Sequence, residues 1–99
     1  MSKYLLTKKA VNDLTRIWNY TYDNWSEKQA DKYYNQIIQF CDNLSTQAEL
    51  GKKYYNLMEG LKGSKINKHI VFYRKISEEL IEIERILHEQ MDLKSRLEE

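Results

Sequence analysis

The 99-residue sequence contains no proline, one cysteine, three glycines and two histidines. Each scarcity excludes something. A lone Cys41 cannot form a disulfide within the chain, which fits a reducing compartment. Gly51, Gly60 and Gly63 lack the spacing of a phosphate-cradling or dinucleotide loop. His69 and His88 stand in no ligand-spaced pair, so neither a metal nor another cofactor is expected. No window approaches the roughly 18 apolar residues that would span a membrane. The opening "MSKYLLTKKA" lacks the apolar core of a secretory signal. With no proline, no repeat and no low-complexity tract, nothing marks a linker. The expectation is one cytoplasmic domain over residues 1–99.

What is present is aromatic and charged. Aromatics make up 12% of the chain, mostly from eight tyrosines, which argues against disorder. The net charge of +1 hides a polarised layout. Residues 51–76 carry about +6 and residues 77–99 about −5. Two readings stand side by side: an anion-seeking surface beside an acidic one, or strands that pair opposite charges across a sheet.

The hydrophobic period defines the elements. "KYLLT" is a short strand and Thr7 a helix N-cap. Val11, Leu14, Ile17, Trp18, Thr21 and Trp25 recur at three- and four-residue steps, one face of a helix over roughly residues 8–24. Ser26 followed by Gln29 matches a capping box. Ala30, Tyr33, Tyr34, Ile37, Cys41 and Leu44 then trace a second helix to about residue 48, folded back on the first as a hairpin. "LGKKYYN" reads as a loop and "LMEGLKGSK" as a weak strand with a turn. "KHIVFYRKI" is a buried strand, and "ELIEIERIL" alternates, joined to it by a hairpin-length link. Asp92 caps a last helical turn. The fold class is α+β in the order β-α-α-β-β-β, with a helical hairpin on a small antiparallel sheet.

One chemical reading is ribonuclease action, which needs an acid, a base and cations around a phosphate. Arg74, Arg85 and His88, with the lysines of 62–68, are the candidates. Against it, Arg85 shares strand parity with Ile81, Ile83 and Leu87, and Arg74 with Ile70 and Phe72. An arginine in an apolar set usually reaches a carboxylate or a carbonyl, or sits at a rim. A histidine at a strand end is more often structural. Cys41, in an apolar helical stripe, reads as a buried thiol.

The order of elements, "HIVFYRKI" and then "IEIERILHEQMD" resemble the RelE/ParE superfamily of toxins from type II toxin–antitoxin systems, and the ParE branch in particular. The pattern there is a glycine-containing strand, an apolar strand ending in Tyr-Arg, and a strand ending in Arg-x-Leu-His; here these are residues 60–65, 70–74 and 83–92. The N-terminal strand and helical hairpin are also similar, so nearly the whole chain is covered. The resemblance implies a ParD-like antitoxin that wraps and neutralises the toxin in a hetero-oligomer, and DNA gyrase as the target of growth inhibition by binding. The RelE branch would instead imply cleavage of messenger RNA on the ribosome. The acidic segment after His88 and the low net charge weigh against that branch and against direct nucleic-acid binding. Candidate target contacts are Lys62, Lys65, Lys68, Arg74, Arg85 and His88. Candidate antitoxin contacts are Tyr33, Tyr34, Tyr54 and Tyr55, since aromatic anchors dominate interfaces.

Overall fold

The computed structural model describes residues 3–99. Strand β1 (Lys3–Leu6) leads into helix α1 (Lys8–Asn24), and helix α2 (Glu27–Thr46) folds back on it. Both starts are capped as the sequence requires. The Thr7 hydroxyl accepts the Ala10 N–H at 3.0 Å, and the Ser26 hydroxyl accepts that of Gln29 at 3.0 Å. The second helix holds the whole apolar stripe and ends at Thr46, two residues before the expected end, and a short 3₁₀ turn (Ala48–Leu50) follows.

Strands β2 (Lys52–Lys53), β3 (Lys62–Ile66), β4 (His69–Ser77) and β5 (Leu80–His88) follow, and helix α3 (Leu93–Leu97) closes the chain. The sheet order is β1-β5-β4-β3-β2. Two details differ from the sequence reading. Lys52 and Lys53, read as loop, pair with Gly63 and Lys62 as a two-residue edge strand. β1 runs parallel to β5 while the other pairs are antiparallel, because the helical hairpin carries the chain across the sheet before it returns.

Both sheet faces are covered. The helical hairpin buries Ala10, Leu14, Ile37 and Cys41 against Val71, Tyr73, Ile81 and Ile83. On the other face Leu61, Ile70, Phe72 and Leu87 are covered by Tyr54, Leu57 and Met58 from the 54–61 segment and by Leu93 and Leu97 of α3. Tyr73 runs from the first cluster to the carbonyl of Ala48, to which it donates at 2.8 Å. A Cβ at Gly51 would collide with the Tyr73 ring, so this position is held for glycine by close approach.

The register between β4 and β5 shifts at Phe72/Tyr73. Phe72 faces Arg85 while Tyr73 faces Ile83, which leaves Glu84 as an extra residue. The bulge breaks the alternation read from "IEIERIL". Ile81, Ile83 and Ile86 join the helix-side cluster, and Leu87 turns to the opposite face. Arg85 therefore does not share a parity set with both Ile83 and Leu87.

Candidate functional site: a groove beneath the helical hairpin

β1 ends at Leu6, so β5 beyond Ile83 has no strand partner on that side. Side chains from α1 take its place. Thr7 donates its hydroxyl to the Glu84 carbonyl at 2.8 Å. The Asp13 carboxylate accepts the Ile86 N–H at 3.0 Å. It also accepts Arg85 Nε at 2.7 Å and Nη2 at 3.0 Å, a bidentate pair. Arg85 and Asp13 are 3% and 4% exposed, so this is an ion pair in the core. The remaining Arg85 nitrogen donates to the Arg96 carbonyl and to Glu99, which ties α3 to the sheet. Every arm of the guanidinium is occupied. As a target contact or a catalytic cation, Arg85 would first have to abandon a buried carboxylate.

Arg74 sits at the other end of the hairpin, across from Glu82. Its Nε lies 3.7 Å from Glu84, and both Arg74 Nε and Glu84 Oε2 are buried without a hydrogen-bond partner. Burial, reinforced by Glu82 alongside, pushes the Glu84 carboxyl up to about 7 despite Arg74. His88 is paired with His69. From the Glu82 position to His88 is six residues of strand, about 20 Å at the usual rise. The three residues considered for ribonuclease chemistry therefore do not converge on one phosphate. The structure brings His88 together with His69 instead, with ring centroids 5.4 Å apart and edge to face.

These histidines floor a groove of about 960 Å³ between the helical hairpin and the strand ends. Ile17, Tyr20 and Trp25 of the α1 side form one wall, with Arg16 at its rim. Gln29 and Tyr33 contribute from α2, Asn67 and Lys68 from the β3–β4 turn, and Gln90 and Met91 from the segment after β5. Tyr20 is 67% and Trp25 76% exposed, although the periodicity placed Trp25 in a core stripe. Of that stripe Leu14 and Thr21 are buried, while Val11 at its start and Trp25 at its end are exposed, and from Ile17 onward α1 borders the groove. The Tyr33 hydroxyl hydrogen-bonds His69 Nδ1 at 2.8 Å. Burial, then the neighbouring His88, holds His69 down at about 4, so its ring is neutral near pH 7. His88 Nδ1 accepts the Gln90 N–H at 3.1 Å, which places a neutral ring's proton on Nε2.

The tyrosines singled out from sequence do not share one surface. Tyr33 lines the groove. Tyr34, one residue on, points to another side of α2 and is 38% exposed. Tyr54 packs edge-on against Phe72 at 5.1 Å on the opposite sheet face. Tyr55 is exposed beside Lys53. The lysines divide likewise. Lys62 and Lys75 meet Glu49, Lys65 meets Glu89, and Lys68 stands at the groove. Pairing across elements therefore accounts for much of the charge polarity. Asp13, His69, Arg16 and Met91 were not singled out as functional candidates from sequence. Asp13 lies on the same helix as Ala10 and Leu14, but its partner Arg85 is 72 residues away, beyond the reach of local sequence reading.

Cys41 is buried and its thiol is pushed up to about 12 by burial, as suits an inert core residue. Among the described residues no group of three or more potential ligands could hold a metal ion, and no helix is long and apolar enough to cross a membrane.

A strand, a helical hairpin and a five-stranded sheet closed by a short helix define the class, a small α+β domain. Residues 4–93 match the family described as the ParE toxin of the type II toxin–antitoxin system parDE, and the chain belongs to that family. It is 31% identical to Toxin ParE1 of Mycobacterium tuberculosis over 96 residues, covering 97% of this chain and 98% of that one. It is 32% identical to Toxin ParE of Escherichia coli, covering 98% and 94%. Among solved structures, a chain of the chromosomal ParDE toxin–antitoxin system from P. aeruginosa superposes with a TM-score of 0.76. That match has 20% identity and covers 89% of this chain and 96% of that one.

Proposed function

We propose that this toxin arrests growth by binding DNA gyrase, and that a ParD-like antitoxin neutralises it in a hetero-oligomer by seating a segment in the groove beneath the helical hairpin. The family match over residues 4–93 carries the toxin class. The groove carries the seat: exposed Tyr20, Trp25 and Met91 border it, and large exposed aromatics at a concave site are what a binding partner covers. Action by binding rather than cleavage is supported by the separation of Arg74 from His88 and by the engagement of Arg85 with Asp13. Lys68 is exposed at the groove and is the better candidate for a target contact; Lys62, Lys65 and Arg74 each stand beside a carboxylate. The proposed place of action is the cytoplasm.

Purified protein added to a gyrase supercoiling reaction and to a translating extract separates the two modes. Supercoiling is expected to fall while messages stay intact by primer extension. Codon-register cuts with normal supercoiling would replace the gyrase reading with a ribonuclease.

A further inference from the structure

We propose that the row formed by Leu5, Glu82 and Arg74, with Glu84 beside it, docks the toxin's target and takes from it an arginine flanked by apolar residues. This rests on the reading that the toxin acts by binding, and it adds to Lys68 a contact of opposite charge away from the groove.

Strand register places the row. Leu5 pairs with Glu82, and Glu82 with Arg74. Their chain neighbours Tyr4, Leu6, Ile81, Ile83 and Tyr73 pack into the cluster beneath the helical hairpin. Successive residues of a strand point to opposite faces, so Leu5, Glu82 and Arg74 project from the other face. There the 54–61 segment and α3 pack on Leu61, Ile70, Phe72 and Leu87. Their cover does not reach Leu5, which is 52% exposed on the edge strand.

The charges of this surface are out of balance. Two carboxyls, Glu82 and Glu84, meet one guanidinium. Arg74 Nε lies 3.7 Å from Glu84, beyond hydrogen-bond reach. That nitrogen and Glu84 Oε2 are both buried without a hydrogen-bond partner. A buried carboxylate oxygen with no donor costs free energy that an incoming donor recovers. Burial, with Glu82 alongside, raises the Glu84 carboxyl to about 7, as befits a carboxyl short of a cation. An arginine fits this need: its fork can meet both carboxyls while its stem lies along Leu5. The groove is the reverse case, since its charged lining side chains, Arg16 and Lys68, are cations. The two surfaces therefore call for partners of opposite charge, and with the antitoxin seated in the groove the row is left to the target.

The test titrates the intact, isotope-labelled protein with two short peptides, followed by amide chemical shifts. One peptide carries an arginine between leucines. The other carries citrulline there, which keeps the shape of arginine without its charge. The arginine peptide is expected to shift the amides of Leu5, Arg74, Glu82 and Glu84 and to bind about tenfold or more tighter, with the gap narrowing at high salt. Replacing both carboxyls by their neutral isosteres, Glu82→Gln with Glu84→Gln, is expected to erase the preference without lowering the melting temperature. In a supercoiling reaction, Glu82→Lys is expected to raise the toxin concentration that inhibits gyrase by about tenfold or more, while the antitoxin complex still forms. Equal affinity for the two peptides, or shifts confined to other parts of the molecule, overturns the proposal. So does a folded Glu82→Lys toxin that inhibits gyrase as the parent does. Failure of the gyrase reading is a separate result: the parent itself would leave supercoiling untouched, and the peptide titration alone would then decide the surface.

Discussion

At the scale of single residues, the Asp13–Arg85 pair links α1, β5 and α3. A buried pair contributes little against a well-packed apolar substitute, but removing one member strands a charge. Asp13→Ala also leaves the Ile86 N–H without its acceptor. We expect a loss of about 3–5 kcal/mol in denaturant unfolding for Asp13→Ala. A loss below about 1 kcal/mol would mean that water replaces the carboxylate easily. His69 and Glu84 give a second residue-scale prediction, because they act on stability in opposite directions. His69 stays neutral in the fold down to about 4, below its ordinary 6.5. The unfolded chain binds the extra proton, so stability falls as pH drops through that window. Glu84 holds its proton up to about 7 in the fold, above its ordinary 4.5. Its contribution is fully present below 4.5 and is lost as pH rises through 7. Melting temperature between about pH 7.5 and 5 should therefore fall on acidification more steeply in Glu84→Gln than in the parent. In His69→Asn it should rise or flatten. Parallel slopes in all three proteins would show that neither group is shifted by the fold.

At the scale of elements, most of the fold was legible and the site was not. The first helix, the Thr7 and Ser26 caps, the β4–β5 hairpin and the Asp92-capped last turn follow from local signals that the backbone obeys wherever the segment lies. The Glu84 bulge has no such signal. The string "IEIERIL" alternates through it, and only pairing with β4 decides which residue is extra. That one register shift turns Leu87 to the opposite face from Ile83. The groove was missed for a related reason. Trp25 repeats at core spacing, but it stands at the C-cap of α1, beside the groove and exposed. The tie between α3 and Arg85 is likewise invisible to local reading, and it gives a test. Arg85→Lys keeps the charge but loses the planar fork that reaches Asp13 and the Arg96 carbonyl together. Hydrogen exchange in residues 93–99 is expected to accelerate by about tenfold or more, beyond any change in the α2 amides, since a five-residue helix depends on its anchor. Unchanged protection there would show that Leu93 and Leu97 hold α3 alone.

At the scale of the whole molecule, two faces of one sheet are put to different uses. One is covered by the helical hairpin, beside which lies an aromatic groove with Arg16 and Lys68 among its lining residues. The other is closed by the 54–61 segment and by α3. Trp25 and Tyr20, both exposed at the groove, are the surface that the proposed antitoxin segment would cover. The resemblance seen in "HIVFYRKI" and "RILHEQMD" extends across residues 4–93, although Arg85 and His88 serve there as an internal tie and a groove floor. The most direct measurement is to induce this chain in bacteria alone and together with the product of the adjacent reading frame, following growth and recovering complexes by affinity purification. The account predicts arrest when the chain is alone, and growth with a stable copurified complex when both are present. Arrest that persists beside a well-expressed neighbour, with no complex recovered, would contradict it.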